Sequence, residues 1–303
     1  MKDRISVREV RLVLTNRCNF RCYFCFNEGY ATEQRDRTLN PSDYLRAVRH
    51  LVVKYGATKV RLSGGEPTLD PELPHLVGSL LSEFPGLDIG VTTNGGLPDK
   101  LRELLRGDAL GRLQVNVSLP AAKAAEFRAM TGSGKLHEVL QSIAIATQSK
   151  SRVKINCVVT SRSQAAADVV HAGAQLNVPV KLLCLNVNPH NEQQIGQHGE
   201  AVASGVVSIQ RMISDLGYRH EGGSEATLFA TRGNHQLEIV DCSTSDPIEY
   251  FRRFRALRIY FDSHVAVTGD FDGYRRPFDP AAPEAAIDSL IFDIAGAIGN
   301  EAN

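Results

Sequence analysis

Six times along the chain a short run rich in β-branched residues gives way to a helical pattern. That alternation restricts the fold more than any other feature of the sequence. Residues 10–14, 59–62, 88–91, 113–118, 153–159 and 180–185 read as strands, and 41–54, 71–83, 98–106, 134–149, 164–176 and 200–216 as helices. Pro41, Pro71 and Pro98 fall at helix starts, where a missing N–H costs no hydrogen bond. Strand–helix–strand order implies crossover connections, so the strands run parallel. Six such units predict an α/β fold, an open partial barrel with its chemistry at the C-terminal strand ends. After residue 216 the alternation stops. Residues 226–230, 237–240, 257–261 and 265–268 read as short antiparallel strands, and 283–298 as a last helix. The expected organisation is a barrel domain over 1–220 and a small α+β extension, 221–303, covering the active site.

Charge and cysteine usage narrow the class. The 303 residues carry 34 basic and 34 acidic side chains. That balance predicts neither a nucleic-acid footprint nor a membrane-binding surface. No apolar run is long enough to span a bilayer, and Met1-Lys2-Asp3-Arg4 has no signal-peptide character. Three of the six cysteines are close together, while Cys157, Cys184 and Cys242 are scattered. This differs from a secreted disulfide framework, so a cytoplasmic protein is expected.

The close three lie on the loop after the first strand, in Cys18-Asn19-Phe20-Arg21-Cys22-Tyr23-Phe24-Cys25, spaced C-x3-C-x2-C. Soft thiolate ligands this close suit an iron–sulfur cluster or zinc. A structural zinc site wants four ligands, and no nearby fourth stands out. A [4Fe–4S] cluster held by three cysteines keeps one iron open to a small molecule. Gly64-Gly65-Glu66-Pro67 and Thr92-Thr93-Asn94-Gly95 also follow strands, so they are expected on the same rim.

Taken in order, the cysteine motif, Arg61-Leu62-Ser63-Gly64-Gly65-Glu66-Pro67, Thr92-Thr93-Asn94-Gly95 and Val115-Asn116-Val117-Ser118 resemble the radical S-adenosylmethionine (SAM) superfamily. Within it the chain is similar to the molybdenum-cofactor GTP 3′,8-cyclases, densely over residues 7–188 and thinly beyond. The resemblance implies a partial (β/α)6 radical SAM barrel. It implies one [4Fe–4S] cluster on Cys18, Cys22 and Cys25, SAM on the open iron, and an electron donor such as flavodoxin or ferredoxin. Phe24 fits the family's aromatic position before the third cysteine. Gly64 and Gly65 are expected to admit the ligand closely, and Glu66 to meet the methionine ammonium. Asn94 and Ser118 are expected to bond its carboxylate or ribose. Asn188 falls where the cyclases place a methionine against SAM.

The substrate is addressed residue by residue. The cyclases' GTP-contacting positions match Arg11, Arg61, Thr92 and Lys154, and Arg258 lies in a segment like their C-terminal arginine motif. Forked Arg donors suit phosphate or carboxylate, so a small anionic substrate is expected. The cyclases' auxiliary-cluster cysteines are replaced by Phe251, Phe254 and, at or near the third position, Thr268. GTP cyclisation is therefore not expected. The reading is a one-cluster relative acting on a nucleoside, nucleotide or sugar in a specialised pathway, antibiotic biosynthesis or antiviral nucleotides. Cys157 and Cys184 are the candidate hydrogen-atom donors to a substrate radical. A peptide-modifying maturase is the alternative, set back by the absent C-terminal cysteines. A non-catalytic Fe–S or zinc protein is the alternative of another class.

Overall fold

The computed structural model describes residues 5–25, 39–160, 163–187, 191–198, 206–224, 226–241, 244, 246–267 and 274–300. In chain order its elements are β1 (Glu9–Val13), α1 (Pro41–Tyr55), β2 (Lys59–Ser63), α2 (Leu73–Glu83), β3 (Asp88–Thr93), α3 (Pro98–Arg106) and β4 (Leu113–Ser118). Next come α4 (Ala124–Thr131), α5 (Leu136–Gln148), β5 (Arg152–Val159), α6 (Ser163–Leu176), β6 (Val180–Cys184), α7 (Glu192–Gln197) and α8 (Val206–Asp215). The last are β7 (Arg219–Gly223), β8 (Thr227–Arg232), β9 (His235–Val240), α9 (Pro247–Phe254), β10 (Ala256–Tyr260), β11 (His264–Ala266), β12 (Arg275–Pro277) and α10 (Glu284–Asn300). Among the described residues no helix is long and apolar enough to cross a membrane.

Contacts group the chain into two compact units. One comprises Met1–Arg17, Glu28–Val91 and Thr244–Asn303; the other comprises Cys18–Asn27 and Thr92–Ser243. The segment 221–303, expected as one extension, is thus shared between them.

In the first unit the strand order is β12-β11-β10-β1-β2-β3, with β10, β1, β2 and β3 mutually parallel. Helix α1 shows why these crossovers hold. Asn40 caps it in a box with Asp43, Pro41 opens it, and Gly56 closes it at φ 71°. Its Tyr44, Ala47, Val48 and Leu51 are buried, and the Tyr44 hydroxyl donates to Val13 O at 3.3 Å. Strand alternation then splits the sheet. Val10, Leu12, Val60, Leu62, Ile89 and Val91 are buried apolar residues. The intervening positions carry Glu9, Arg11, Lys59, Arg61, Asp88 and Arg258, with Arg258, Arg11 and Arg61 in one register row.

In the second unit the order is β4-β5-β6-β9-β8-β7, with β4, β5, β6 and β9 parallel. Val115, Val117, Ile155, Cys157, Val159, Leu182, Cys184 and Ile239 share one buried apolar face. Gln114, Asn116, Ser118, Lys154, Asn156, Lys181 and Glu238 share the other.

The α/β class and its parallel β/α units match the sequence reading, and β4 and α3 match it to the residue. The tail does not run purely antiparallel as expected. Strand β10 pairs parallel with β1, because α9 provides its crossover. Strand β9 pairs parallel with β6, because the two reversals of β7–β8–β9 restore its direction. Helices α4, α7 and α9 escaped the periodicity reading. Each is a short element of no more than eight residues, and α7 buries only Ile195 and its leading Asn191.

Candidate active site

The Gly64-Gly65 pair sits against the chain's own backbone. Beyond the β1–β2 ladder, Leu14 N donates to Ser63 O at 2.9 Å, Gly65 N to Thr15 O at 2.7 Å and Glu66 N to Arg17 O at 2.8 Å. The two loops are therefore zipped together up to the residue before Cys18. Gly64 holds φ 146°, and a Cβ there would lie 2.5 Å from Thr15 O. A Cβ on Gly65 would lie 2.2 Å from Arg17 O. Both glycines were expected to admit a ligand, yet the close approach they permit is that of the cysteine stem. Glu66 is buried, and its Oε1 accepts from Thr68 N at 3.1 Å and Thr68 Oγ1 at 2.6 Å, capping the turn Pro67–Leu69.

The cysteine loop belongs to the second unit, whose side chains and backbone fix it. The Asn94 Nδ2 donates to Asn19 Oδ1 at 2.7 Å and reaches Cys18 Sγ at 3.6 Å, while its Oδ1 accepts from Gly96 N at 2.8 Å. Asn94, expected to meet SAM, thus orients the first cysteine. Phe20 packs edge-on against Phe127 with centroids 5.9 Å apart, and a Cβ on Gly96 would lie 2.7 Å from its ring. The end of α4 accepts the loop's N–H groups: Arg21 N to Thr131 O at 2.8 Å and Tyr23 N to Met130 O at 3.3 Å. On the far side Tyr23 stacks on His198 at 4.2 Å and 16°, and Asn191 Nδ2 donates to Phe24 O at 3.5 Å. Phe24 meets Tyr23 edge-on at 5.5 Å. Asn19, Phe20, Phe127 and Asn191 were not singled out from sequence; the spacing carried no signal for them.

The donor set fits an iron–sulfur cluster. All three thiols are half-buried on one short loop, with Phe20 N donating to Cys18 Sγ at 3.4 Å. Burial pushes the Cys22 thiol well above its ordinary range, and the neighbouring Cys25 and Cys18 sulfurs push it further. Three mutually repelling sulfurs on one loop call for a cationic, thiophilic centre to hold them as thiolates. Among the described residues no three His, Cys, Asp or Glu side chains close on a single metal ion.

The cations expected to bind substrate already have protein partners. Arg11 pairs with Glu9 at 2.9 Å. Arg61 pairs with Asp88 at 2.5 Å and donates to Asp88 O at 2.6 Å, so its guanidinium turns toward the N-terminal end of β3. Arg258 is buried with its guanidinium 5.8 Å from the Tyr250 ring. Thr92 is half-buried at the end of β3. In the second unit Lys154 donates to Glu238 Oε2, and Lys181 holds Glu238 Oε1 at 2.9 Å. Burial raises the Glu238 carboxyl, but Lys181 and then Lys154 outweigh it and hold the pKa below the ordinary range. Neither Lys181 nor Glu238 was legible as a site residue, because only the β5–β6–β9 register brings them beside Lys154. Ser118 is half-buried at the end of β4, in register with Asn156.

The two candidate hydrogen donors, Cys157 and Cys184, lie on the buried apolar face. Cys157 is fully buried, its thiol 3.9 Å from Pro120 O, and burial pushes its pKa up to about 12. By register it shares the apolar face with Leu182, and Cys184 shares that face with Val159. Strand alternation therefore turns both thiols away from Lys154, Asn156 and Ser118. Phe251, which stands at a cyclase auxiliary-cluster position, is fully buried core. Asn188, Cys242 and Thr268 lie outside the described residues.

Comparison with known proteins identifies the family. The family model described as "Radical SAM superfamily" matches residues 12–162, across the cysteine loop and the three strand-end motifs. The chain belongs to the radical SAM superfamily. It is 38% identical over 170 residues to a GTP 3′,8-cyclase of Xanthomonas axonopodis pv. citri, covering 52% of this chain and 49% of that protein. It is 34% identical over 178 residues to the molybdenum cofactor biosynthesis protein moc-5 of Caenorhabditis elegans, covering 57% of this chain and 29% of that one. A GTP 3′,8-cyclase of Marinobacter nauticus matches at 28% over 250 residues, 82% of this chain and 68% of that one. The chain thus spans half or less of the first two relatives. Among solved structures, Streptococcus suis SuiB superposes with a TM-score of 0.66 at 14% identity, covering 88% of this chain and 60% of SuiB. Native anSMEcpe with bound AdoMet gives 0.58 at 14%, covering 93% and 80%. At such identity these two establish the partial-barrel fold alone.

Proposed function

We propose that the protein is a radical SAM enzyme that abstracts a hydrogen atom from a small anionic nucleoside, nucleotide or sugar-type substrate in a specialised pathway. The observation that carries the reading is the cysteine loop itself. It presents three thiols at a strand end, is zipped to the Gly-Gly motif through its stem, and is oriented by Asn94. Cys18, Cys22 and Cys25 would hold one [4Fe–4S] cluster, with SAM on its open iron. When bound, that pair supplies the chemistry: one electron splits SAM to methionine and a 5′-deoxyadenosyl radical.

The chain's own residues do the rest. Asn94 fixes the first cysteine, and the buried Glu66 caps the turn that follows the Gly-Gly pair. By the family resemblance, Phe24, Gly64, Gly65, Glu66, Asn94, Ser118 and Asn188 would be the positions that meet SAM. Arg11, Arg61, Thr92, Lys154 and Arg258 would contact the substrate, joined by Lys181. On the polar face of the first unit four cations, Arg11, Lys59, Arg61 and Arg258, stand against two carboxylates, Glu9 and Asp88. That excess favours an anionic substrate group over a cationic one. The internal ion pairs hold the cations in place until a stronger acceptor, such as phosphate, competes for them.

Deuterium transfer tests the reading. The reconstituted enzyme is incubated with site-deuterated nucleotides, nucleosides and sugar phosphates, and the 5′-deoxyadenosine is weighed. Label arriving from one carbon of one substrate supports the proposal. SAM cleavage with label from none of these classes, but from a peptide, refutes the substrate assignment.

A further inference from the structure

Among the described residues of β4, β5, β6 and β9, Glu238 is a carboxylate on a face whose other charged side chains are cations. Its two oxygens are taken by two lysines, Oε2 by Lys154 and Oε1 by Lys181 at 2.9 Å. Register places Ser118, Asn156, Lys181 and Glu238 in one row across the four strands. Lys154 lies two residues before Asn156 on β5, so it points to the same face and spans β6 to reach Glu238. That crosses two strand spacings, about 9.5 Å, a gap that takes two long side chains to bridge. The three side chains keep access to solvent, 23% for Lys154, 25% for Lys181 and 16% for Glu238, so a ligand can reach them. Gln114, Asn116, Ser118 and Asn156 on the same face carry no charge. Arg152, at the start of β5, is exposed and donates to Arg112 O at 3.4 Å. The triad therefore presents one net positive charge, two lysines against one carboxylate. Burial raises the Glu238 carboxyl, but Lys181 and then Lys154 hold it below the ordinary range, so it is ionised at neutral pH.

We infer that Glu238 is a specificity-determining residue: it limits the positive charge of this face, so that the anionic part of the substrate is a single phosphoryl group and not a polyphosphate chain. The inference rests on the proposed function, since it takes Lys154 and Lys181 as substrate contacts. A phosphate monoester brings about two negative charges, which the two lysines can meet while Glu238 stays beside them. Each further phosphoryl group adds negative charge next to a fixed carboxylate. Like charges brought together where water is partly excluded are weakly screened, so Glu238 repels a longer chain more than a single group. A carboxylate that only held the lysines in place would act on every anion alike.

The test titrates the reconstituted, SAM-loaded enzyme with inorganic phosphate and with tripolyphosphate, by calorimetry at constant ionic strength. Wild type, Glu238→Gln and Glu238→Asp are compared. The wild type should bind tripolyphosphate less than about tenfold tighter than phosphate, and in Glu238→Gln that ratio should rise at least about tenfold. Glu238→Asp keeps the charge and should keep the wild-type ratio. Ribose 5-phosphate and the nucleoside monophosphates separate the two sources of a single phosphoryl group; one of them should bind at least as tightly as phosphate, and weaker binding of both overturns the inference. A ratio unchanged in Glu238→Gln, or raised equally in Glu238→Asp, also overturns it. So does a wild type that binds tripolyphosphate more than about tenfold tighter than phosphate, a result that needs no variant to fold. Binding of none of these anions by the wild type overturns the anionic-substrate reading and this inference with it, whereas binding with an unchanged ratio overturns the inference alone.

Discussion

Gly65→Ala is the sharpest structural perturbation of the site. The new methyl would sit 2.2 Å from Arg17 O, 2.6 Å from Arg17 C and 3.0 Å from Asn16 C. All three are backbone atoms, so no side chain can swing aside. Relief requires the stem to move by about 1 Å, since ordinary contact begins near 3.4 Å and carbonyl groups give little. Such a shift forfeits the Gly65 N to Thr15 O and Glu66 N to Arg17 O bonds, each worth about 0.5–1.5 kcal/mol. Overpacking adds about 1–3 kcal/mol. The sum, about 2–6 kcal/mol, is a large fraction of the roughly 5–15 kcal/mol that stabilises a typical domain. Urea unfolding measures it, and iron per chain after anaerobic reconstitution reports the position of Cys18. Gly78→Ala is the control: nothing lies within 4 Å of its Cβ, it is inside α2, and it should stabilise by about 0.5–1 kcal/mol. An unfolding midpoint and iron content for Gly65→Ala equal to wild type would refute the zipper argument.

The other predictions follow the same contacts. Asn94→Ala removes the amide that reaches Cys18 Sγ, Asn19 and Gly96; it should cost about 1–3 kcal/mol and lower iron loading, whereas a residue that served SAM alone would leave iron unchanged. Cys157→Ala and Cys184→Ala should both retain product formation, measured by mass spectrometry, and a substrate radical stalled in either variant would assign that thiol to the reaction. Glu238 has its carboxyl pKa held below the ordinary range, so its stabilisation is present above about pH 4.5 and is lost as pH falls further. Glu238→Gln should therefore be less stable than wild type at pH 7 and converge with it in acid, as read by thermal melting. His235 is buried between the Tyr218 hydroxyl at 2.6 Å and Val178 O at 2.8 Å, and burial lowers its pKa. The unfolded chain then binds the extra proton, so stability should fall as pH drops below about 6.5, and His235→Gln should show a shallower fall.

What sequence could and could not reveal follows from range. Helix α3 was legible to the residue because its signals are local: Pro98 at the start and Leu101, Leu104 and Leu105 on one buried face. The cysteine loop was legible because its three donors lie within eight residues. Asn94 was picked out, but its contact with Cys18 was not, since the two lie 76 residues apart. Glu238 went unnoticed because Lys154 lies 84 residues away and meets it only through strand register. The same register explains the thiols: Cys157 and Lys154 are three apart on one strand and so point to opposite faces. The parallel setting of β9 and β10 depends on counting reversals and crossovers, which local propensity does not encode.

The central claim is that three cysteines hold a cluster that reduces SAM. Its most direct test is anaerobic reconstitution of the wild type and of Cys22→Ala, measuring iron per chain and 5′-deoxyadenosine released under dithionite. The account predicts about four irons per chain and steady 5′-deoxyadenosine for the wild type, with both lost in the variant. Iron content and SAM cleavage that survive Cys22→Ala, or a fully iron-loaded wild type that releases no 5′-deoxyadenosine, would contradict it.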